Sequence, residues 1–443
     1  MEIISFAAGY TKRVSQLYKH LHTAGCKNLL LAIGAFADDD VRYGDNELQY
    51  SMESYINKSK ADGIVHTIAI PAFFDDKTLA KMSFARVKEL YFDSFKIAKM
   101  AGCKGILVSP ILFDEIDQRV RLTVKQKKSK GLDMSEDEAK RLKMLQTPRQ
   151  LEENEVESFY LSIADYATAN DLFVLITNQC GYYNGKLNRS FMSDAYRLKE
   201  FVAKLNAKTQ TGLFKVNLDI GVCNLLGQNF YQVITVLKDD IGMISLREND
   251  GYKGSALMPF SCALGGLPRM DWLAIIKALR AIDYTGLMYM DYIDTYNAAP
   301  VSLRKYIVQY AKHMADYLNW QIEMEHTIAK YDKRVLFGAG NMCRNYMKCY
   351  GADYPPLFTC DNNSKIWGQT FEGLEIKNPE EIKLLPEDVA IFICNTYYDE
   401  IEAQLKSYGL NNPIERYNDE FLPSMYGNRF DADKREISDS III

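Results

Sequence analysis

The chain lacks an excess of either charge: 53 Lys and Arg stand against 58 Asp and Glu, a net charge of −5. That leaves no electrostatic footprint for a nucleic-acid backbone or an anionic membrane, so neither is expected as a partner. It also lacks any CxxC pair. Its nine cysteines stand singly along the sequence, which excludes a zinc ribbon or a thioredoxin-type motif and reads as reduced thiols filling core space. No apolar run approaches the ~20 residues of a membrane span. The opening MEIISFAAGYTKR reads as a strand, too short and wrongly flanked for a signal peptide. A soluble, cytoplasmic protein is the expectation. Histidine is scarce, five in 443 residues; His20 and His22 fall on one helical pattern, His313 and His326 on another, and surface or structural places are expected for them.

What is present is a long alternation of strand and helix patterns. With 443 residues, 47% of them apolar and 25% charged, the chain has ordinary globular composition but exceeds a typical single core, so two domains are expected. IISFAAGY, NLLLAIG, IVHTIAIP, KGILVSPIL and LFVLITNQ read as strands, separated by amphipathic helices such as VSQLYKHLHTAG and KMSFARVKELYFDSFKIAKMAG. A loop carrying Asp38, Asp39 and Asp40 follows the second strand. Residues 113–155 are highly charged, with a basic run from Lys125 to Lys130; a solvated helical excursion is expected there, and a substrate lid or subunit contact is the sharper alternative. The region NGKLNRSFMSDAYRLKEFVAKL reads as a loop and a helix, and VSLRKYIVQYAKHMADYLNWQIEMEHTIAKY as one long helix.

The chain is organised around Lys215 to Tyr292. KVNLDIG is an apolar run that stops at an acid and a glycine, MISLRENDG is a second strand ending in charge, and GLMYMDYID is a third, closing at Asp294. Between them lie the turn LGGLPRMDW and the helix LAIIKALRAIDY. This is the rhythm of parallel βαβ units, whose polar residues collect at strand ends. In a β/α barrel those C-terminal ends form the active face, so Asp219, Arg247, Glu248, Asp291 and Asp294 are expected to converge. Arg247 and Glu248 suit a mutual ion pair as well as a site role.

Composition shifts at Lys333. RVLFGAGNMCRNYMKCYG is a strand, a glycine turn and a helix, followed by PLFTCDNN, WGQTFEGLEI, NPEEIKLLPEDVAIFICN and a last helix. GAGNMC is a variant phosphate loop with Cys343 at the usual third glycine. Asp361 ends the next strand 23 positions after Gly338, near the spacing of a ribose-hydroxyl acceptor. Gly338, Gly340 and Asp361 are therefore the candidate nucleotide or NAD contacts, the glycines letting backbone amides approach a pyrophosphate.

Two resemblances follow from these residues. Leu218-Asp219-Ile220-Gly221, Leu246-Arg247-Glu248, Leu264-Gly265-Gly266 with Asp271-Trp272, and Met290-Asp291 together resemble the last units of the sugar phosphate isomerase/epimerase group, the xylose-isomerase-like barrels. The likeness covers roughly the first three-quarters of the chain. It implies a divalent metal, Mn, Co or Mg, whose usual ligand positions fall on Thr177, Asp219, Ser245 and Asp291; only Asp219 keeps the usual residue, and the two attendant histidines align with Val222 and Leu257. Asn178 keeps the second half of an E-N pair and is a candidate contact for a sugar hydroxyl. The C-terminal series Gly338-Ala339-Gly340, Asp361-Asn362, Gly368 to Gly373, and Asn378-Pro379 with Ile382 is similar to the Rossmann-like nucleotide or nucleotide-sugar modules of surface-polysaccharide enzymes.

The expected architecture is thus α/β: a (β/α)8 TIM barrel over residues 1–326, a small doubly wound Rossmann-like domain over 333–430, and a tail over 431–443. The expected function is isomerisation or epimerisation of a sugar or sugar phosphate in bacterial surface-polysaccharide biosynthesis. Such chemistry moves a proton beside a carbonyl, which needs carboxylates near the reacting carbon. Asp219, Asp291 and Glu248 are the catalytic candidates, with Arg247 and Lys253 holding a phosphate or an enediolate oxyanion. The metal candidates are Asp219 and Asp291. Two alternatives stay open: a metal-free enzyme acting on a nucleotide-linked sugar, and a non-catalytic barrel that binds a carbohydrate or a partner. A homo-oligomer fits any of them.

Overall fold

The computed structural model describes residues 2–8, 14–33, 47–71, 84–109, 131, 133, 136, 153–183, 186–264, 267–268 and 270–419. The loop at Asp38–Asp40, nearly all of the 113–155 stretch, Gly265 and Gly266, and the 431–443 tail lie outside the described residues. Two compact units emerge, Met1–Asp271 with Ala281–Asp316, and Trp272–Arg280 with Tyr317–Ile443.

In the first unit, β1 (Glu2–Ala8), β2 (Leu29–Ala32), β3 (Ile68–Ile70), β4 (Gly105–Leu107) and β5 (Phe173–Thr177) alternate with helices. Then come a hairpin of β6 (Cys180–Tyr183) and β7 (Lys186–Arg189), the strands β8 (Phe214–Asp219) and β9 (Ile241–Leu246), a two-stranded ribbon of β10 (Ala263–Leu264) and β11 (Leu267–Pro268), and β12 (Leu287–Met290). Eight of these strands close a parallel barrel in the order β1-β12-β9-β8-β5-β4-β3-β2. The arrangement is that of a TIM barrel. Strands buried on both sides need continuous apolar runs, and LLLA in β2 and the mostly apolar β9 supply them with every residue, or all but Gly242, buried. Ile4, Leu30, Ile68, Leu175, Met243 and Tyr289 cluster in its core. The register sets the site: Thr177 lies opposite Asn217, Asp219 opposite Ser245, and Leu246 opposite Met290.

The structure departs from the sequence expectations at three places. The stretch 180–189 contains an antiparallel hairpin, Cys180 pairing with Arg189 and Tyr183 with Lys186. The strand of GLMYMDYID stops at Met290, and Asp294 belongs to the first turn of the helix Ile293–Ala298. The long helix after it is divided into Arg304–Ile322 and Met324–Ala329, with Glu323 between them at φ −87°, ψ 6°.

The second unit holds a mixed six-stranded sheet of β13 (Lys333–Phe337), β14 (Thr359–Cys360), β15 (Thr370–Phe371), β16 (Leu374–Lys377), β17 (Val389–Ile393) and β18 (Ile414–Arg416), ordered β15-β16-β14-β13-β17-β18. All pairings are parallel except β15 with β16. Alternation along the strands fills a core on each face: Leu336, Ala390 and Phe392 pack on one side, Val335, Phe337, Ile391 and Ile393 on the other. A buried Asp419 ties this unit together, accepting from Arg280 at 2.9 Å and from the Tyr350 hydroxyl at 2.9 Å. All nine cysteines are free thiols, most of them buried. Among the described residues no helix is long and apolar enough to cross a membrane.

Candidate functional site at the barrel strand ends

The site is built from the last residue of β8. Asp219 leaves the strand with extended backbone and caps the short helix Ile220–Leu225, its Oδ1 accepting from the Val222 amide at 3.2 Å. Asn178, just past β5, fixes it from the neighbouring strand. Its Oδ1 accepts from the Asp219 amide at 2.7 Å and its Nδ2 donates to the Asp219 carbonyl at 3.1 Å. Asn178 therefore positions Asp219, with both ends of its amide spent on that backbone.

Arg247 follows β9 and meets this carboxylate as a fork. Nε donates to Oδ1 at 2.8 Å and Nη2 to Oδ2 at 2.8 Å, while Nη1 donates to the Gly254 carbonyl at 3.2 Å. The pair is largely enclosed, its side chains 17% and 12% exposed. Bidentate guanidinium–carboxylate geometry is the strongest and most directional form of ion pair. Gly221 makes it possible: a Cβ there would lie 2.7 Å from both Cγ and Nε of Arg247. Burial opposes the charge on Arg247, but Asp219 and Asp291 more than compensate and raise its pKa.

Asp291 comes directly after β12, its amide bonded to the Leu246 carbonyl at 3.0 Å. Burial pushes its carboxyl up to about 6; Arg247 holds part of that rise back and the Asp219 charge adds to it. A carboxyl titrating there is suited to exchange protons near neutral pH. Cys180 stands beside the group as a thiol, its pKa raised first by burial and then by Asp219.

The other implied metal-ligand positions belong to a neutral chain. Asn217 donates to the Thr177 hydroxyl at 3.2 Å and accepts from the Ser245 hydroxyl at 2.9 Å, bridging β5, β8 and β9. Mn, Co or Mg at this place needs several carboxylates or imidazoles. The donors are one carboxylate forked by a guanidinium, one further carboxyl and two hydroxyls tied to an amide. Among the described residues no three His, Cys, Asp or Glu side chains gather to hold an ion. A doubly charged ion would also face the guanidinium, a repulsion of about 8 kcal/mol at about 4 Å for an effective dielectric of about 20. The residues present do not fit the metal.

The remaining candidates serve the loop after β9. Glu248 is fully buried, and its carboxylate accepts from the amides of Ser261 at 3.1 Å and Cys262 at 3.3 Å, so Arg247 and Glu248 face different partners. Its backbone exchanges hydrogen bonds with Leu257. Asp294 holds the same loop, accepting from the Ala256 amide at 2.8 Å. Lys253 is exposed in a turn capped by Asp250. Of the residues expected to converge, the structure joins Asp219, Arg247 and Asp291 and turns Glu248 and Asp294 to loop closure.

In the second unit, Gly338 has φ +117°, and a Cβ there would lie 2.7 Å from the Cys394 carbonyl oxygen. The Ala339 amide donates to Asp361 at 3.0 Å, and Gly340 precedes the helix Asn341–Cys349. Asp361 borders a cleft of about 290 Å³ lined also by Asn362, Asn395, Tyr397, Glu400 and Gln404, among others, with no lysine or arginine among the described residues of the lining. A loop amide already spent on Asp361 and two carboxylates in the wall do not fit a pyrophosphate; the lining suits hydroxyl groups.

A family described as C2185-like, N-terminal, matches residues 330–413. No curated protein matches the chain. Among solved structures it is similar to a D-psicose 3-epimerase with D-tagatose from Clostridium cellulolyticum H10, at 15% identity, 72% of this chain, 99% of that chain and a TM-score of 0.45. It is also similar to a 3-keto-D-glucoside 4-epimerase from E. coli, at 14% identity, 71% and 99% coverage and a TM-score of 0.44. A xylose isomerase domain protein from Alicyclobacillus acidocaldarius matches at 10% identity, 72% and 99% coverage and a TM-score of 0.46.

Sequence reading missed Asn217 and Asn249 as parts of this site. Asn249 is fully buried, donates to the Gly221 carbonyl at 2.8 Å and accepts from Asn224 at 2.8 Å, fixing the turn beneath Arg247. An amide inside the apolar run KVNLDIG was the available signal for Asn217, because a buried polar side chain needs a partner. The hairpin had a signal too, the Asn184-Gly185 pair between Tyr183 and Lys186.

Proposed function

We propose that the barrel is an isomerase or epimerase of a sugar or sugar phosphate, moving a proton beside a carbonyl at the C-terminal strand ends. The observation that carries this reading is a forked Asp219–Arg247 pair standing with a second carboxyl, Asp291, which burial pushes up to about 6. The Asp291 carboxylate takes a proton from the carbon next to the carbonyl, the C–H electrons form the C=C bond, and the carbonyl π electrons move onto oxygen to give an enediolate. The neighbouring hydroxyl's proton passes to that first oxygen, the Asp291 proton returns to the former carbonyl carbon, and the second oxygen becomes the new carbonyl. The guanidinium N–H groups turned away from Asp219 stabilise the oxygen that gains charge. Asp219 is bound by Arg247 at both oxygens, which leaves one carboxyl of the pair to handle protons. That favours a single-base shuttle along one face, as in aldose–ketose isomerisation, over epimerisation with a base on each face. Lys253, at the solvent side of the loop, is the candidate for a substrate phosphate.

In the second unit we infer recognition of a hydroxyl-bearing group by Asp361, Asn362 and Gln404, with the nucleoside end of a nucleotide or NAD as one class to test. The surface-polysaccharide setting rests on the motif series of residues 338–382 alone. The decisive experiment is incubation of the full chain with aldoses, ketoses and their phosphates in D2O, in the presence of EDTA. Deuterium entering next to the carbonyl, and no longer entering with Asp291→Asn, supports the enzyme. No exchange with any substrate leaves the carbohydrate-binding barrel as the better reading.

A further inference from the structure

We propose that Arg247 is the barrel's fixed cation, occupying the role that the resemblance gives to a divalent metal, and that it grips two neighbouring oxygens of the ligand. The substrate class rests on the isomerase reading above; the identity of the cation does not. Everything around Arg247 is arranged to hold the guanidinium still. Asp219 binds it through two bonds of 2.8 Å, Gly254 takes Nη1 at 3.2 Å, and Gly221 leaves the space its stem crosses. Asn178 in turn fixes the Asp219 backbone at 2.7 and 3.1 Å. The positions that would complete a metal shell, Thr177 and Ser245, are joined through Asn217 into an uncharged chain.

Two guanidinium donors remain for a ligand. A guanidinium has five N–H groups. Nε–H and one Nη2–H go to Asp219 and one Nη1–H to Gly254, which leaves one N–H on each terminal nitrogen. Two such donors match a planar pair of oxygens, such as the carbonyl and adjacent hydroxyl of a ketose or the two oxygens of a cis-enediolate. A lysine carries the same charge without that geometry.

The test uses the full chain and glycolohydroxamate, a planar mimic of a cis-enediolate, in calorimetric titrations with EDTA and then with Mn²⁺. Binding in EDTA, unchanged by Mn²⁺ and weakened about tenfold or more by Arg247→Lys, is the expected result. Three results overturn the proposal: near-stoichiometric Mn²⁺ or Co²⁺ on the wild-type protein that Asp219→Asn releases, probe binding that requires metal, or no probe binding under either condition. Should Arg247→Lys fail to fold by circular dichroism, the wild-type comparison with and without metal decides alone. Probe binding that obeys these expectations without deuterium exchange on any sugar removes the isomerase reading and keeps the cation. Exchange that depends on Mn²⁺ does the reverse.

Discussion

Both sheets end a parallel strand in an aspartate, and the two acids have opposite surroundings. Asp219 ends β8 in a nearly enclosed place, its side chain 12% exposed, and its two oxygens are taken by a guanidinium. Asp361 follows β14 at the rim of an open cleft and is satisfied by backbone amides, those of Ala339 at 3.0 Å and Asn363 at 2.8 Å. The enclosed Asp219 has its charge offset by a guanidinium, whereas Asp361 at a wet strand end is served by hydrogen bonds and water. The same sequence feature, an acid closing a strand, thus yields a rigid charge pair in one sheet and an adjustable polar wall in the other.

The largest effect should come from breaking that pair. Asp219→Ala strands a buried guanidinium and is expected to destabilise the first unit by about 3–5 kcal/mol. Asp361→Ala removes hydrogen bonds that water can replace, an expected loss of about 1 kcal/mol. Urea denaturation of each variant checks the contrast, and equal losses would erase it. Replacing both members, Asp219→Ala with Arg247→Met, should recover much of the loss while leaving the protein inactive.

Asp291 sharpens the contrast through pH. Its folded pKa of about 6 lies above the ordinary 3.8, so ionising it in the folded protein costs stability. The cost is absent below the unfolded pKa and fully present above about 6. Asp291→Asn is therefore expected to stabilise the protein by on the order of 2–3 kcal/mol at about pH 8, with the gain vanishing towards about pH 4. Melting temperatures across that range test the sign. In the wild-type protein, deuterium exchange should rise with pH through about 6 as the carboxylate forms.

Much of this architecture was legible in the sequence because strand ends are marked by chemistry. KVNLDIG announced β8 and its terminal Asp219, and RVLFGAG announced β13 and the tight turn at Gly338. Partner choice was not legible. Arg247 and Glu248 are adjacent in sequence, yet successive residues leave a strand on opposite sides. Arg247 reaches an acid 28 positions away, and Glu248 binds the amides of Ser261 and Cys262. Nothing local distinguishes those two outcomes. Asn217 was hidden for a related reason: its two hydroxyl partners lie on different strands and are identified only by the barrel's register.

The glycines give the smallest and most selective prediction. Gly338 is confined by backbone, its hypothetical Cβ 2.7 Å from a carbonyl oxygen at φ +117°, so alanine there strains the fold of the second unit itself. Gly221 is confined by a side chain, the stem of Arg247 at 2.7 Å. Gly221→Ala should cost only about 1–2 kcal/mol, because Arg247 can swing aside, but in doing so it must loosen the Asp219 fork. The expected signature is a protein with near-normal melting and little deuterium exchange, distinct from Gly338→Ala, which should lower the melting temperature and leave exchange in the barrel intact. A Gly221→Ala protein that exchanges at the wild-type rate would show that the fork's geometry is not what the chemistry uses.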